Sequence, residues 1–288
     1  MSDSNGIFGN KSSINVACCQ IEPKIGDTDV NIENTLSWIE KAASVGSKLI
    51  ILPELCVSGY VFNTRNEAFQ NAEKVPGGRS IKSWEEVANQ NDVYLVAGVA
   101  EVQNSILYNT SVLIGPSGYI GKYRKLHLWF EEKLFFEQGD MGLPLFKLPF
   151  GRLAMMVCYD MWFPEVARIY ASMGADIITI PTNWPKKRTE LTDITDNLII
   201  SQSHMNGVFI AASDRVGYER GIRFHGRSII TSNRGVVLGG PASETSEELI
   251  IAKCNLSDSR VKQSNRLNNI FGDRRGDIYD LTLGYRGQ

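Results

Sequence analysis

Short apolar, β-rich runs recur along this chain, and helix-like patterns fill the intervals between them. That interleaving restricts the fold to layered α/β or α+β architectures. Strand-like runs fall at 14–20, 48–52, 93–100, 107–114, 119–123, 153–157, 175–181, 208–213, 228–231, 236–238 and 249–255. Helical spacing falls at 29–45, 79–90, 164–173 and 193–206; in the first of these Val30, Ile32, Leu36, Ile39 and Ala43 recur at near-helical intervals. The turn GPSG at 115–118 joins two strands into a hairpin. No internal repeat, low-complexity segment or Pro/Gly/Ser-rich linker divides the chain. The expected organisation is a flexible tail over 1–13 and a single domain over 14–288. From about 260 the chain becomes polar and is expected to wrap the surface or a partner.

A chain of 288 residues, 43% hydrophobic and 22% charged, can bury a sizeable core without staples. A net charge of −2 gives no electrostatic footprint for nucleic acid or an anionic membrane. No apolar run approaches membrane-spanning length, and the polar start MSDSNGIFGNKSS lacks the apolar stretch of a secretory signal. The five cysteines, Cys18, Cys19, Cys56, Cys158 and Cys254, are odd in number and form no CxxC pair. They suggest neither a disulfide framework nor a zinc site, and a reducing cytoplasm is the expected compartment. GxGxxG and GxxxxGK[ST] are absent, which removes the usual support for a nucleotide-binding fold.

One cysteine stands apart from the other four, which read as buried, inert thiols. In GRLAMMVCYDMWFP at 151–164, an apolar run ends abruptly at Cys158, and Pro164 opens a helical segment. A strand–Cys–turn–helix layout lifts a thiol to the end of a buried strand, where a substrate can reach it. The familiar partner of such a nucleophile is histidine, giving a papain-like pair. The chain has three histidines, His127, His204 and His225, and none stands in a papain-like context.

Two charged residues have a more telling placement. Glu54 closes the apolar run LIILPEL, and Lys125 follows the strand at 119–123. With Cys158, each sits at or just beyond the C-terminal end of an expected strand. Such exits converge on a shared crevice in layered α/β folds. There a carboxylate can take the thiol proton, while an ammonium steadies the thiolate and the oxyanion that follows.

The ordered blocks LPELCVSGY at 52–60, GKYRKLHL at 121–128 and VCYDMWFPEVAR at 157–168 resemble the nitrilase superfamily of carbon–nitrogen hydrolases. FFEQGD at 135–140, DRVGYERG at 214–221 and DRRGDIY at 273–279 extend the likeness over nearly the whole chain. The resemblance implies a four-layer αββα sandwich with two central sheets. It implies Glu54 as general base, Lys125 as oxyanion stabiliser and Cys158 as nucleophile. A second glutamate maps to Glu132 in preference to its neighbour Glu131, with the role of positioning Lys125. The backbone N–H of Tyr159, at the helix entry after the nucleophile, is expected as an oxyanion donor. Tyr60, Asn183 and Trp184 are expected to line the substrate pocket, with core packing the other reading for Trp184.

No metal or organic cofactor is implied. The reaction class is hydrolysis of a non-peptide carbon–nitrogen bond through a Cys158 thioester. A small amide is the first expectation, because Tyr159-Asp160 follows the nucleophile where many nitrilases carry Trp-Glu. A small aliphatic nitrile or an N-carbamoyl or ureido acid is the alternative substrate, and a non-catalytic binding protein is the alternative function. Arg215 and Arg220 are open to two readings, as anchors for an acidic substrate group or as surface ion pairs. A homodimer through the helices next to the nucleophile is implied, since EVARIYASMGA carries more apolar residues than one buried face requires.

Overall fold

The computed structural model describes residues 12–186 and 194–282. Residues 1–11 of the expected tail, Asp193 at the start of the fourth expected helix, and 283–288 lie outside them. The chain runs β1 (Ser13–Gln20), α1 (Thr28–Ser44), β2 (Leu49–Ile51), α2 (Arg65–Gln70), α3 (Arg79–Asn91), β3 (Tyr94–Gln103), β4 (Ile106–Gly115) and β5 (Gly118–Arg124). It continues through α4 (Glu132–Phe135), β6 (Leu145–Leu148), β7 (Gly151–Met155), a 3-10 turn (Cys158–Trp162), α5 (Pro164–Ser172), β8 (Ile177–Thr182), α6 (Ile194–Asn206) and β9 (Phe209–Asp214). The small hairpin β10 (Tyr218–Glu219) and β11 (Ile222–Arg223) follows, then β12 (Ile229–Thr231), β13 (Val237–Gly239), β14 (Glu248–Asn255), a second 3-10 turn (Leu256–Arg260) and α7 (Gly276–Thr282).

Two six-stranded sheets result, ordered β14-β1-β2-β3-β4-β5 and β13-β12-β9-β8-β7-β6. Helices α1 and α3 cover the first, α5 and α6 the second, and β1, β2 and β3 pack across onto β8 and β9. The four layers are those that the resemblance implies. Their sequence cause is the two-residue period of strands buried on both sides. Val16 and Cys18 of β1 point into the core between the sheets, while Ala17 and Cys19 point to the α1–α3 side. Leu49 and Ile51 of β2 alternate with Ile50 in the same way.

The helices close the outer layers by ordinary amphipathic logic. Ile81, Trp84, Val87 and Ala88 form the buried stripe of α3. Pro164 opens α5, where its missing N–H costs nothing.

Strand direction places the chemistry. β1, β2 and β3 run parallel, and two antiparallel pairings bring β5 back into the direction of β2. β7, β8 and β9 are parallel within the second sheet. The ends of β2 and β5 therefore open on the same edge of the first sheet, and those of β7 and β8 on one edge of the second. The strand expected to reach residue 157 stops at Met155, because the chain turns sharply before Cys158. The expected surface-wrapping tail carries the second 3-10 turn and α7, and most of its described residues are exposed.

Candidate active site

Glu54 sits three residues beyond β2 in a turn stitched to β3: Leu52 N–H donates to Val96 O (2.8 Å), Cys56 N–H to Gly98 O (3.0 Å), and Gly98 N–H to Pro53 O (3.1 Å). Glycine is required at 98. A Cβ there would lie 2.5 Å from both Glu54 Cα and Leu55 N, which are backbone atoms that cannot yield cheaply. The Glu54 side chain is fully buried. Its Oε1 accepts from Lys125 Nζ (2.7 Å) and Asn109 Nδ2 (2.6 Å). Its Oε2 is buried with no hydrogen-bond partner among the described residues. Burial raises the Glu54 carboxyl to about 7; the Lys125 ammonium opposes that rise, and Glu132 adds to it.

Lys125 follows β5 directly, and its own N–H is fixed to Asn109 O at 2.8 Å. Its Nζ bridges Glu54 Oε1 and Glu132 Oε1, each at 2.7 Å. Burial by itself would depress this ammonium, yet Glu132 and Glu54 reverse the effect and hold it above the ordinary lysine value. Lys125 is therefore a permanent cation between two carboxylates.

Glu132 opens α4, and its second oxygen accepts from Trp129 N–H (3.1 Å) while Tyr60 Oη donates to Oε1 (2.6 Å). Glu131 is exposed, and Glu132 is the one that meets Lys125. Tyr60 thus joins the site through Glu132, and burial pushes its hydroxyl above the usual phenol range.

Cys158 occupies the left-handed region, with φ of 47°. For a residue with a Cβ this conformation costs on the order of 1–3 kcal/mol and persists where the surroundings over-determine it. It lifts the thiol out of the strand line and into the first position of the 3-10 turn. The side chain is buried, and burial, reinforced by Glu54 and opposed by Lys125, pushes the thiol well above its ordinary value. The neighbouring Asn183 backbone acts against that rise. The resting group is a thiol, so attack needs a base; the fields of both Glu54 and Glu132 reach it, that of Glu54 more strongly.

Asn183 lies just past β8; its Nδ2 donates to Glu54 O (2.7 Å), and its Oδ1 is buried without a partner among the described residues. Trp184 is 8% exposed and packs in the core between the sheets, with its N–H given to Asp214 Oδ1 (3.1 Å). Tyr159 is second in the 3-10 turn, where the first N–H groups of a helical segment have no acceptor within it. Its ring sits edge-on to Trp129 and Phe163.

Two of the histidine rings are engaged elsewhere, His127 with Asp160 and His204 with Arg234 O; the buried His225 gives its backbone N–H to Trp184 O, and its ring Nε2 has no partner among the described residues. Among the described residues none hydrogen-bonds Cys158.

Arg220 forms the surface ion pair that is one of its two readings, while the readings of Arg215 need correction. Arg215 is no surface residue: it is fully buried, paired with Glu219 and donating to Pro23 O (2.8 Å). Arg220, partly exposed, is forked onto Glu67 and also donates to Val61 O (2.7 Å). Glu219 in turn accepts the N–H groups of Tyr60 (2.7 Å) and Val61, so the DRVGYERG segment braces the Tyr60 loop.

Sequence reasoning missed Asn109. Its signal was present, a polar side chain in the middle of a strand buried on both faces. It also missed Asp214, whose buried carboxyl is pushed well up by burial and by the field of Glu54, among other groups.

A narrow cleft of about 50 Å³ adjoins Glu132, walled by Tyr60, Phe62, Trp129, Phe135, Pro185 and Ile222. A larger cavity of about 690 Å³ lies around Lys147, Arg152, Asp176 and Arg260, at the start of β7 and ahead of β8. That is the opposite end of those strands from Cys158. No group of three His, Cys, Asp or Glu able to hold a metal occurs among the described residues.

A family model described as carbon-nitrogen hydrolase matches residues 15–262. The chain belongs to that family. It is 42% identical to a nitrilase of Pyrococcus abyssi over 266 residues, which cover 92% of this chain and 99% of that one. It is 32% identical to a 2-oxoglutaramate amidase of Bacillus subtilis, covering 92% and 98%, and 27% identical to an N-carbamoylputrescine amidase of rice (Oryza sativa), covering 96% and 95%. A carbon-nitrogen hydrolase structure from Helicobacter pylori superposes with a TM-score of 0.86 at 26% identity, covering 96% of this chain and 99% of that one. An amidase structure from Nesterenkonia sp. superposes with a TM-score of 0.78 at 22% identity, covering 98% and 100%, which speaks to the fold. This carbon–nitrogen hydrolase therefore has the nitrilase-superfamily layering, and its enzyme class follows from the family.

Proposed function

We propose that this hydrolase cleaves a small amide to a carboxylic acid and ammonia through a thioester on Cys158. The observation that carries the reading is the buried Glu54–Lys125–Glu132 chain, with an unpartnered oxygen on Glu54, beside a buried thiol whose ionisation Glu54 opposes and Lys125 favours. Glu54 takes the Cys158 proton as sulfur attacks the amide carbon. The oxyanion is met by Lys125 and the Tyr159 N–H. Glu54 then protonates the departing amine, and the C–N bond breaks. The same carboxylate draws a proton from water, which attacks the thioester and frees the thiol. Each step uses one carboxyl near pH 7 in both directions, which suits a group raised to about 7. Glu132 holds Lys125 in place, and Tyr60 holds Glu132.

The cleft is small and walled mostly by aromatic and aliphatic side chains with Glu131 and Glu132 among them, which supports a compact acyl group without a negative charge. Both arginines once considered for an acidic substrate have their donors committed to protein acceptors, which counts against a carboxylate-bearing N-carbamoyl or ureido acid. A small nitrile is the second reading, favoured by the 42% likeness to a nitrilase. There the thioimidate would take up one water to release ammonia and reach the same thioester.

Ammonia release measured over small amides, nitriles, N-carbamoyl amino acids and ureido acids separates the readings. The highest kcat/KM is expected on an amide. A nitrile preference would replace the amide while leaving the thioester route intact.

Within this reading the enzyme works as a homodimer. Ile169 and Met173, with Met205 at the end of α6, leave a 44–45% exposed apolar face beside the nucleophile turn. Five free thiols suit a reducing cytoplasm. No helix among the described residues is long and apolar enough to cross a membrane.

A further inference from the structure

The reaction centre is split between the two sheets. Glu54, Asn109 and Lys125 belong to the first, through β2, β4 and β5, and Cys158 and Asn183 to the second, through β7 and β8. Chemistry requires the two sets to stay in register to a fraction of an ångström, and apolar intersheet packing supplies no directional hold; the Asn183 Nδ2 bond to Glu54 O (2.7 Å) ties the sheets on the glutamate side, which leaves the lysine side to be fixed. Resting on the hydrolase reading above, we propose that Asp160 is the positioning residue that sets the nucleophile against the oxyanion lysine.

Asp160 is fully buried. Its two oxygens accept four hydrogen bonds. Oδ2 takes the Val157 N–H (3.0 Å) and the Tyr123 hydroxyl (2.7 Å). Oδ1 takes the His127 N–H (3.0 Å) and His127 Nδ1 (2.8 Å). Val157 immediately precedes Cys158. Tyr123 and His127 stand two residues before and two residues after Lys125. One carboxylate therefore grips the second sheet at the nucleophile and the first sheet on both sides of the lysine.

The placement has a cost that packing alone does not justify. A buried carboxylate without strong compensation is destabilising by several kcal/mol, roughly. No lysine or arginine pairs with Asp160 among the described residues, and its polar partners are the Tyr123 hydroxyl, the Val157 N–H and His127. An apolar side chain of similar size would fill the space but leave the Val157 and His127 N–H groups and the Tyr123 hydroxyl without this acceptor. What it could not do is accept from Val157 and hold the left-handed Cys158 against its own strain. The His127 ring is further locked by stacking on Phe163, with centroids 3.6 Å apart, so the far end of the grip is itself fixed.

Asp160→Asn is nearly isosteric but replaces one acceptor oxygen with an N–H₂ that faces donors. Tyr123→Phe deletes a single hydroxyl and keeps the ring. Neither residue touches substrate in the reading above. Misplacement of reacting groups by about 1 Å can cost about 100-fold in rate. Asp160→Asn is therefore expected to lower kcat about 10- to 100-fold with KM within about threefold. The rate of Cys158 alkylation by iodoacetamide should fall with it. Tyr123→Phe should show the same pattern at about 3- to 10-fold. A merely structural role predicts something else: a lower Tm with kcat and alkylation rate per folded molecule unchanged. That outcome in both variants overturns the inference. If Asp160→Asn does not fold, Tyr123→Phe decides alone. Cys158→Ala measured alongside keeps the two claims apart: wild-type turnover in that variant overturns the hydrolase reading, whereas loss of turnover there with unaltered Asp160 and Tyr123 variants overturns only the positioning role.

Discussion

Glu54 is the residue on which the pH behaviour turns. Burial raises its carboxyl to about 7 in the fold, from an ordinary glutamate value of 4.5. As the base it must be ionised, so kcat/KM should rise through a midpoint of about 7 in a pH–rate profile. Glu54→Gln should abolish turnover, and a variant that still turned over with the same midpoint would transfer the role elsewhere. The same shift affects stability with a definite sign. A carboxyl raised on folding binds its proton more tightly in the folded state, so its contribution is greatest below about 4.5 and is lost as pH rises through about 7. Denaturant melts of Glu54→Gln should lack that decline. Lys125→Ala removes the ammonium between two carboxylates; a loss of about 100- to 1,000-fold in kcat is expected from steady-state rates. Glu54 and Cys158 were legible in the sequence because each follows an apolar run that ends sharply, and Lys125 because it lies just past a strand in a motif ordered between them. Asn109 and Asp160 were not, because a buried acceptor or donor takes its meaning from partners distant in the chain: Asn109 bonds Glu54 55 residues away.

At the scale of elements, the strands were readable because burial on both faces gives continuous apolar runs, and the long helices because their stripes repeat. The pieces that escaped, α2, α4, β6 and the β10–β11 hairpin, are two to six residues long, too short for a period to register. They matter nonetheless, since α4 carries Glu132 and the hairpin's Glu219 holds the Tyr60 loop. The turn after β7 shows the limit from the other side. Its apolar letters continue to Val157 and Met156 N–H still bonds Thr179 O of β8 (3.0 Å), but the Val157 N–H turns to the Asp160 side chain three residues on. Gly98 in β3 is the element-level test of the Glu54 turn. Gly98→Ala forces a methyl against the Glu54 backbone and should cost about 1–3 kcal/mol in a denaturant melt, with activity falling more than stability alone explains. Unchanged stability would mean that the close approach is not needed.

For the whole molecule, two sheets facing each other place half of the reacting groups on each, and the core between them is what makes a single site. That architecture could not be read from the alternation of strands and helices, which fits several layered folds; it was implied by the resemblance of ordered motifs and is the architecture observed. The exposed face of α5 and α6 belongs to this scale. Ile169→Asp, placed in its middle, should shift the gel-filtration mass from dimer to monomer, and a wild-type monomer would remove the proposed assembly. The account as a whole depends on the thiol at the junction of the two sheets. Its most direct test is the ammonia-release rate of purified Cys158→Ala on the best substrate, with circular dichroism to show that the fold is intact. The loss predicted is on the order of 10⁴-fold or more, as for removal of a covalent nucleophile. A folded variant that releases ammonia within tenfold of the wild-type rate would contradict the account.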